Sequence, residues 1–218
     1  CLNITLRLEE PADYRTVEEL TREAFWGCNH PGCDEHYLVH LLRKAPAFVP
    51  ELDFVAETGG KIVGNIVYSR AKVVDETGIE HEVVTFGPIS VLPEYQNKGI
   101  GKALLRHTIA EAKHLGYRAI LFYGHPDYYP RVGFRRASEF GIVTAKGKSF
   151  DAFMAMPLYE GALVGITGRF YEDPVFEVDA KKAEEFNKGF PHKELRVLEP
   201  IDVLLDRLAA CSQAGIRG

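Results

Sequence analysis

Apolar and polar positions alternate through ITLRLEE (residues 4–10), the period of a half-buried strand, until Pro11 and Asp13 interrupt it. In VEELTREAFW (17–26), Val17, Leu20, Ala24 and Phe25 return at helical spacing, and Asp13 or Thr16 is placed to cap that helix. GCNHPGCDE (27–35) is rich in turn formers, and HYLVHLLRK (36–44) predicts a second helix stopped by Pro46. LDFVAET (52–58) and KIVGNIVYSRAKVV (61–74) predict two strands joined at Gly59-Gly60, a strong hairpin signal. DETGIE (75–80) turns the chain into a third strand, HEVVTFGPISV (81–91). Pro88 cannot donate to a ladder, so this strand must lie at an edge, bulge or splay there.

A helix is predicted over 99–115, with Ile100, Leu104, Leu105, Thr108, Ala112 and Leu115 as its inward stripe and Gly116 at the C′ position. AILFYG (119–124) reads as a short strand buried on both faces. HPDYYPRVGF (125–134) predicts a turn or short helix, and DAFMAMPL (151–158) a last strand. The order is strand, two helices, a three-strand meander, helix, strand, short helix, strand. That is mixed α/β, and it is not doubly wound.

After about residue 161 the pattern changes. LVGITGRFYEDPVFEVD (163–179) is strand-like but broken by glycines, while DAKKAEEFNKGF (179–190) and IDVLLDRLAA (201–210) read as helices. The expected organisation is one domain over 1–160 and an extension over 161–218 packed on it. No internal repeat or low-complexity segment is visible.

A length of 218 residues suffices for a sizeable core without disulfides or a structural metal. With 26 basic and 31 acidic residues the net charge is −5, which gives no sign of a broad nucleic-acid surface. Four scattered cysteines (Cys1, Cys28, Cys33 and Cys211) do not resemble a disulfide framework. No apolar run suits a membrane span or a leader's apolar region, so a soluble, cytoplasmic protein is expected.

The candidate chemistry centres on QNKGIG (96–101), between the apolar FGPISV and the amphipathic helix. At a helix N-terminus the first N–H groups lack intrahelical partners and the macrodipole is positive, so an anion is welcome there. Gly99 and Gly101 would let a pyrophosphate approach the backbone, with Lys98 and Lys102 beside it. Taken alone, the glycines fit a plain helix start equally well. The stretch is neither a Walker A loop nor a G-x-G-x-x-G fingerprint.

Q-x-x-G-x-G followed by an amphipathic helix, preceded by PISVLPEYQ and followed by YYPRVGF, resembles the GNAT N-acetyltransferase superfamily. GHPDYYPRVGF with DAFMAMPL after it is most similar to its YhbS-like branch. The resemblance covers roughly residues 4–158. It implies a GNAT-type acyl-CoA N-acyltransferase fold: a central, mostly antiparallel twisted sheet whose fourth and fifth strands splay, flanked by helices. It implies acetyl-CoA as co-substrate and an amine-bearing small molecule or peptide as acceptor, with no nucleic acid and no membrane. Dimers are frequent in the family, which makes a homodimer one expectation.

The resemblance also implies roles. Main-chain groups of Ile89, Ser90 and Val91 would hold the pantetheine arm in the splay. Backbone N–H groups of Gln96, Asn97, Lys98, Gly99, Ile100, Gly101 and Lys102 would hold the pyrophosphate. Tyr129 matches the tyrosine of the family's Tyr-x-x-x-Gly-Phe block, which protonates the departing thiolate. A His-Pro-Asp turn replaces the longer Asn-bearing segment usual before that tyrosine, so the Asn contact to the cofactor is not implied here and His125 would take over part of it. A base for the amine is sought among Glu35, His36, His40 and Glu57, with Glu35 and His36 favoured because the loop between the first two helices borders the acceptor site.

Two other readings start from the same residues. Cys28, His30, Cys33, His36 and His40 are all plausible zinc ligands, but their spacing is compressed and no H-E-x-x-H is present, so no metal is expected. The second is a catalytically silent acyl-CoA sensor or interaction module on the same fold.

Overall fold

A computed structural model describes residues 2–28 and 30–196. Its elements run β1 (Thr5–Leu8), α1 (Tyr14–Phe25), α2 (Glu35–Leu42), β2 (Phe54–Thr58), β3 (Lys61–Asp75), β4 (Glu80–Val91), α3 (Ile100–His114) and β5 (Ala119–Tyr123). There follow β6 (Arg135–Arg136), β7 (Ile142–Thr144), β8 (Phe153–Pro157), β9 (Gly168–Tyr171) and α4 (Ala180–Asn187). The second helix expected at 201–210 lies outside the described residues.

The strands form one sheet in the order β1-β2-β3-β4-β5-β8-β6, with β9 pairing β3 and β7 off that path. Pairing is antiparallel except for β4 with β5 and β7 with β9. Gly59 and Gly60 both take positive φ in the β2–β3 turn, as the hairpin signal requires.

α3 covers one face of the sheet. Ile100 and Leu104 sit so close over Gly64 that a Cβ there would meet them at 3.0 and 3.1 Å, and the Tyr68 hydroxyl bonds Thr108 Oγ1 at 2.8 Å. Burying Ile100, Leu104 and Leu105 stabilises this contact by about 1.5–3 kcal/mol per side chain. α1 covers the other face, where the Ser90 hydroxyl donates to Thr21 at 3.5 Å. Ser90 is registered with Asn65, and Asn65 follows Gly64, which faces α3, so by strand alternation the two helices pack on opposite sides.

Two expectations are corrected. Leu115 is not part of the inward stripe: it stands at the C-terminal cap, 44% exposed, because the helix ends before the next turn could cover it. Asp13 does precede α1, but its carboxylate is taken by the Arg7 guanidinium at 2.7 Å and the Glu10 N–H at 2.8 Å rather than by the α1 backbone.

Candidate active site

The sheet opens between β4 and β5. The two strands are parallel, and their only registered pair is Val84 with Ile120. On its other side β4 stays paired with β3 through Ile89, Ser90 and Val91. One extra residue bulges β4 between Phe86 and Ile89, where Gly87 and Pro88 lie. The proline therefore sits where the ladder is already broken, as its missing donor demands. β4 is not an edge strand; bulge and splay together accommodate Pro88.

Beyond the opening, β4 leads through the Pro93–Tyr95 turn to the QNKGIG stretch. Gln96 is buried and donates its side-chain amide to the Val91 carbonyl at 2.9 Å, tying the turn to the strand end. Asn97 has φ 60°, the one non-glycine residue with positive φ among those described. Gly99, at φ 81°, is the N-cap of α3. Two left-handed residues thus precede the first turn of α3, whose N–H groups have no intrahelical acceptor. A Cβ on Gly99 would touch nothing within 4 Å, so its glycine is demanded by conformation and the space over it is open. Lys98 is exposed and Lys102 half-buried, while Ile100 and Gly101 are buried against the sheet.

Tyr129 stands at the point of divergence. Its ring packs edge-on against Phe122 of β5 at 4.5 Å and lies 5.9 Å from Phe86 of β4. Phe86 and Phe122 are 4.2 Å apart and close the paired half of the slot. Gly124, just after β5, makes room: a Cβ there would come within 2.5 Å of the Tyr129 ring. His125 is half-buried, and its Nδ1 accepts the Asp127 N–H at 3.1 Å, which leaves the ring proton on Nε2.

The α1–α2 region separates the base candidates. Glu35 opens α2 and is half-buried; burial of its carboxyl, with the Asp34 charge next to it, pushes its pKa up to about 7. His36 is completely buried. Its Nε2 donates to Asn187 Oδ1 at 3.1 Å and its Nδ1 faces the Cys33 thiol at 3.5 Å. Phe190 meets the ring edge-on at 5.0 Å, and burial with Arg22 nearby lowers its pKa to about 4. His36 therefore holds the C-terminal stretch, with both nitrogens engaged. His40 faces Glu18 Oε2 at 3.2 Å. Glu57 pairs with Arg7 at 3.1 Å, on β2, with β3 between it and the β4–β5 opening.

The metal reading is equally local. Cys28 is disulfide-bonded, a pairing absent from the sequence-based expectation, and Cys33 is a buried free thiol. The His30 ring donates to the Pro31 carbonyl at 3.0 Å. Among the described residues no three His, Cys, Asp or Glu side chains are gathered to hold an ion. Sequence reasoning did not single out Phe86, Phe122 and Gly124, which seat the Tyr129 ring but carry no chemistry of their own.

The parted β4–β5 pair, the left-handed turn into the α3 N-terminus and Tyr129 packed against Phe86 and Phe122 thus lie on consecutive segments of one stretch of chain. The chain belongs to the GNAT acetyltransferase family: the Acetyltransferase (GNAT) family model matches residues 15–135, from α1 to the start of β6. It is similar to the uncharacterized N-acetyltransferase YjhQ of Escherichia coli K12, with 31% identity over 134 residues, 61% of this chain and 70% of the relative. YhbS of the same strain is 27% identical over 163 residues, 75% of this chain and 92% of the relative. Two solved structures share the fold. E. coli YhbS in complex with CoA superposes with a TM-score of 0.71 at 26% identity, covering 82% of this chain and 94% of that one. A Brucella melitensis GNAT family acetyltransferase in complex with acetyl-CoA gives 0.64 at 26% identity, covering 81% and 99%. Among the described residues no helix is long and apolar enough to cross a membrane.

Proposed function

We propose that this protein is an acetyl-CoA-dependent N-acetyltransferase acting on a primary amine. The observation that carries the reading is the opened β4–β5 pair running straight into the Asn97–Gly99 left-handed turn. It offers unpaired strand edge to an amide-bearing arm and helix N–H groups to a pyrophosphate, in the order in which CoA presents them.

The amine nitrogen attacks the thioester carbon. The C–S bond then breaks, the thiolate takes the Tyr129 phenolic proton, and the nitrogen loses its proton to Glu35 directly or through water. A carboxyl held near pH 7 by burial suits that base role. His36 suits it less, since its nitrogens are occupied by Asn187 and Cys33.

The test has two arms: calorimetric titration with acetyl-CoA, then thiol release from acetyl-CoA against a panel of amines, corrected for hydrolysis. Micromolar binding with amine-dependent release is expected. Binding without release for any amine would move the reading to a silent acyl-CoA module, and no binding would overturn it.

A further inference from the structure

We propose that Asn187, at the end of α4, is a positioning residue for Glu35: its side-chain oxygen ties α1 to the first turn of α2 and so keeps the proposed base half-buried. The inference rests on the base role given to Glu35 above.

The start of α2 is held by contacts across the fold. Between Phe25 and Glu35 the described chain forms no helix or strand. It turns back on itself instead, with Gly27 and Gly32 at positive φ and the Gly27 N–H donating to the Gly32 carbonyl at 3.0 Å. Asp34, the N-cap of α2, makes no side-chain cap bond. His36, the residue after Glu35, supplies a link: its Nε2 donates to Asn187 Oδ1 at 3.1 Å. The same oxygen accepts Arg22 Nε at 2.8 Å. One acceptor thus joins three helices, and two donors on it fix which way the amide points.

α4 holds that oxygen in place. Asp179 caps the helix, accepting the Lys181 and Lys182 N–H groups at 2.9 and 3.1 Å. Phe186, the residue before Asn187, packs its ring 5.1 Å from Tyr37 and 4.7 Å from His40, along α2. Beyond Asn187, Phe190 takes the Arg15 guanidinium over its ring at 3.6 Å.

The link matters because of what burial does to Glu35. Its carboxyl is pushed up to about 7, first by burial and then by Asp34, while His30 of the same connection opposes the rise. Cys33 lies near enough to feel the carboxylate, and Arg22 and Arg15 of α1 face His36. If the first turn of α2 loosens, water reaches the carboxyl. Its proton affinity then drops toward the ordinary 4.5, and a base matched to neutral pH is lost.

The experiment is a carbon-13 titration of the glutamate carboxyl resonances in the full chain, with Glu35→Gln to assign Glu35. Wild type should show Glu35 titrating at about 7. In Asn187→Ala it should titrate below about pH 6. Asn187→Asp keeps an oxygen for both donors and should titrate as wild type does. Asn187→Ser carries its oxygen one bond shorter and replaces the alanine variant if that one does not fold. A Glu35 resonance that stays near its wild-type position without Asn187, or that falls equally in Asn187→Asp, overturns the proposal. Thiol release from acetyl-CoA against the amine panel separates the failures. In Asn187→Ala, kcat should fall roughly tenfold with KM for acetyl-CoA unchanged. Full turnover in Glu35→Gln removes the base role and the proposal with it. Lost turnover there, with an unmoved titration in Asn187→Ala, removes only Asn187.

Discussion

Trp26 Nε1 donates to the main-chain oxygen of Glu194 at 2.8 Å, so the chain's single tryptophan is bonded to the stretch that follows α4. Arg22, one turn earlier on α1, holds the same stretch. Its Nε donates to Asn187 Oδ1 and its Nη2 to the Pro191 carbonyl, both at 2.8 Å, and its guanidinium lies 4.6 Å over the Trp26 ring. Arg22→Met keeps an apolar stem but loses two charge-assisted hydrogen bonds, which should cost about 2 kcal/mol. Denaturant unfolding would measure the loss, and Trp26 emission should shift to the red as residues 180–196 undock.

His36 should make that docking sensitive to acid. Its folded pKa is near 4 against an ordinary 6.5, so between these values the unfolded chain binds a proton the folded chain refuses. Stability is therefore intact above about pH 6.5 and falls as pH drops toward 4, by up to about 3 kcal/mol. His36→Gln retains a donor for Asn187 and titrates nowhere in this range. Unfolding free energies at pH 7 and pH 5 should differ more in wild type than in the variant, and equal differences would remove His36 as the cause.

Tyr129 and Gly124 should fail in different ways. Tyr129→Phe keeps the ring among Phe86, Phe122 and Phe134 and removes only the proton donor, so kcat should fall roughly a hundredfold with acetyl-CoA affinity preserved. Gly124→Ala pushes a methyl into the Phe122 and Tyr129 rings. It should lower stability by about 1–3 kcal/mol as well as kcat. Unchanged turnover in Tyr129→Phe would end its role as acid.

At the other end of the slot, Gly99 has φ 81° and open space around it. Gly99→Ala should cost about 1 kcal/mol through backbone strain alone. Gly99→Glu adds a negative charge where the pyrophosphate would lie, so its acetyl-CoA affinity should fall well below that of the alanine variant at similar stability. Calorimetry on the pair tells conformation from charge.

Much of the fold was legible because it is written in local periodicity. The alternation in residues 4–10, the helical stripe from Ile100 to Ala112 and the glycine pair at 59–60 each depend on near neighbours in the chain. Pro88 was legible in a weaker way: it announced an irregularity and left open which kind. Leu115 misled because periodicity continues the stripe past the point where tertiary cover stops.

The sequence by itself determined the order of elements, the glycine-bearing start of α3 and the family, since these reside in spacing along one segment. Only the tertiary structure decided what each candidate side chain meets. It put Tyr129 against Phe86 and Phe122, two residues from separate strands, and it paired His36 with Asn187, 151 positions away. It also stacked Tyr123 of β5 with Phe150 at 5.9 Å and set it against Phe170 of β9 at 6.1 Å. Such contacts join residues distant in the chain, and burial and partner, which govern proton affinity and access, exist only once those residues are packed together.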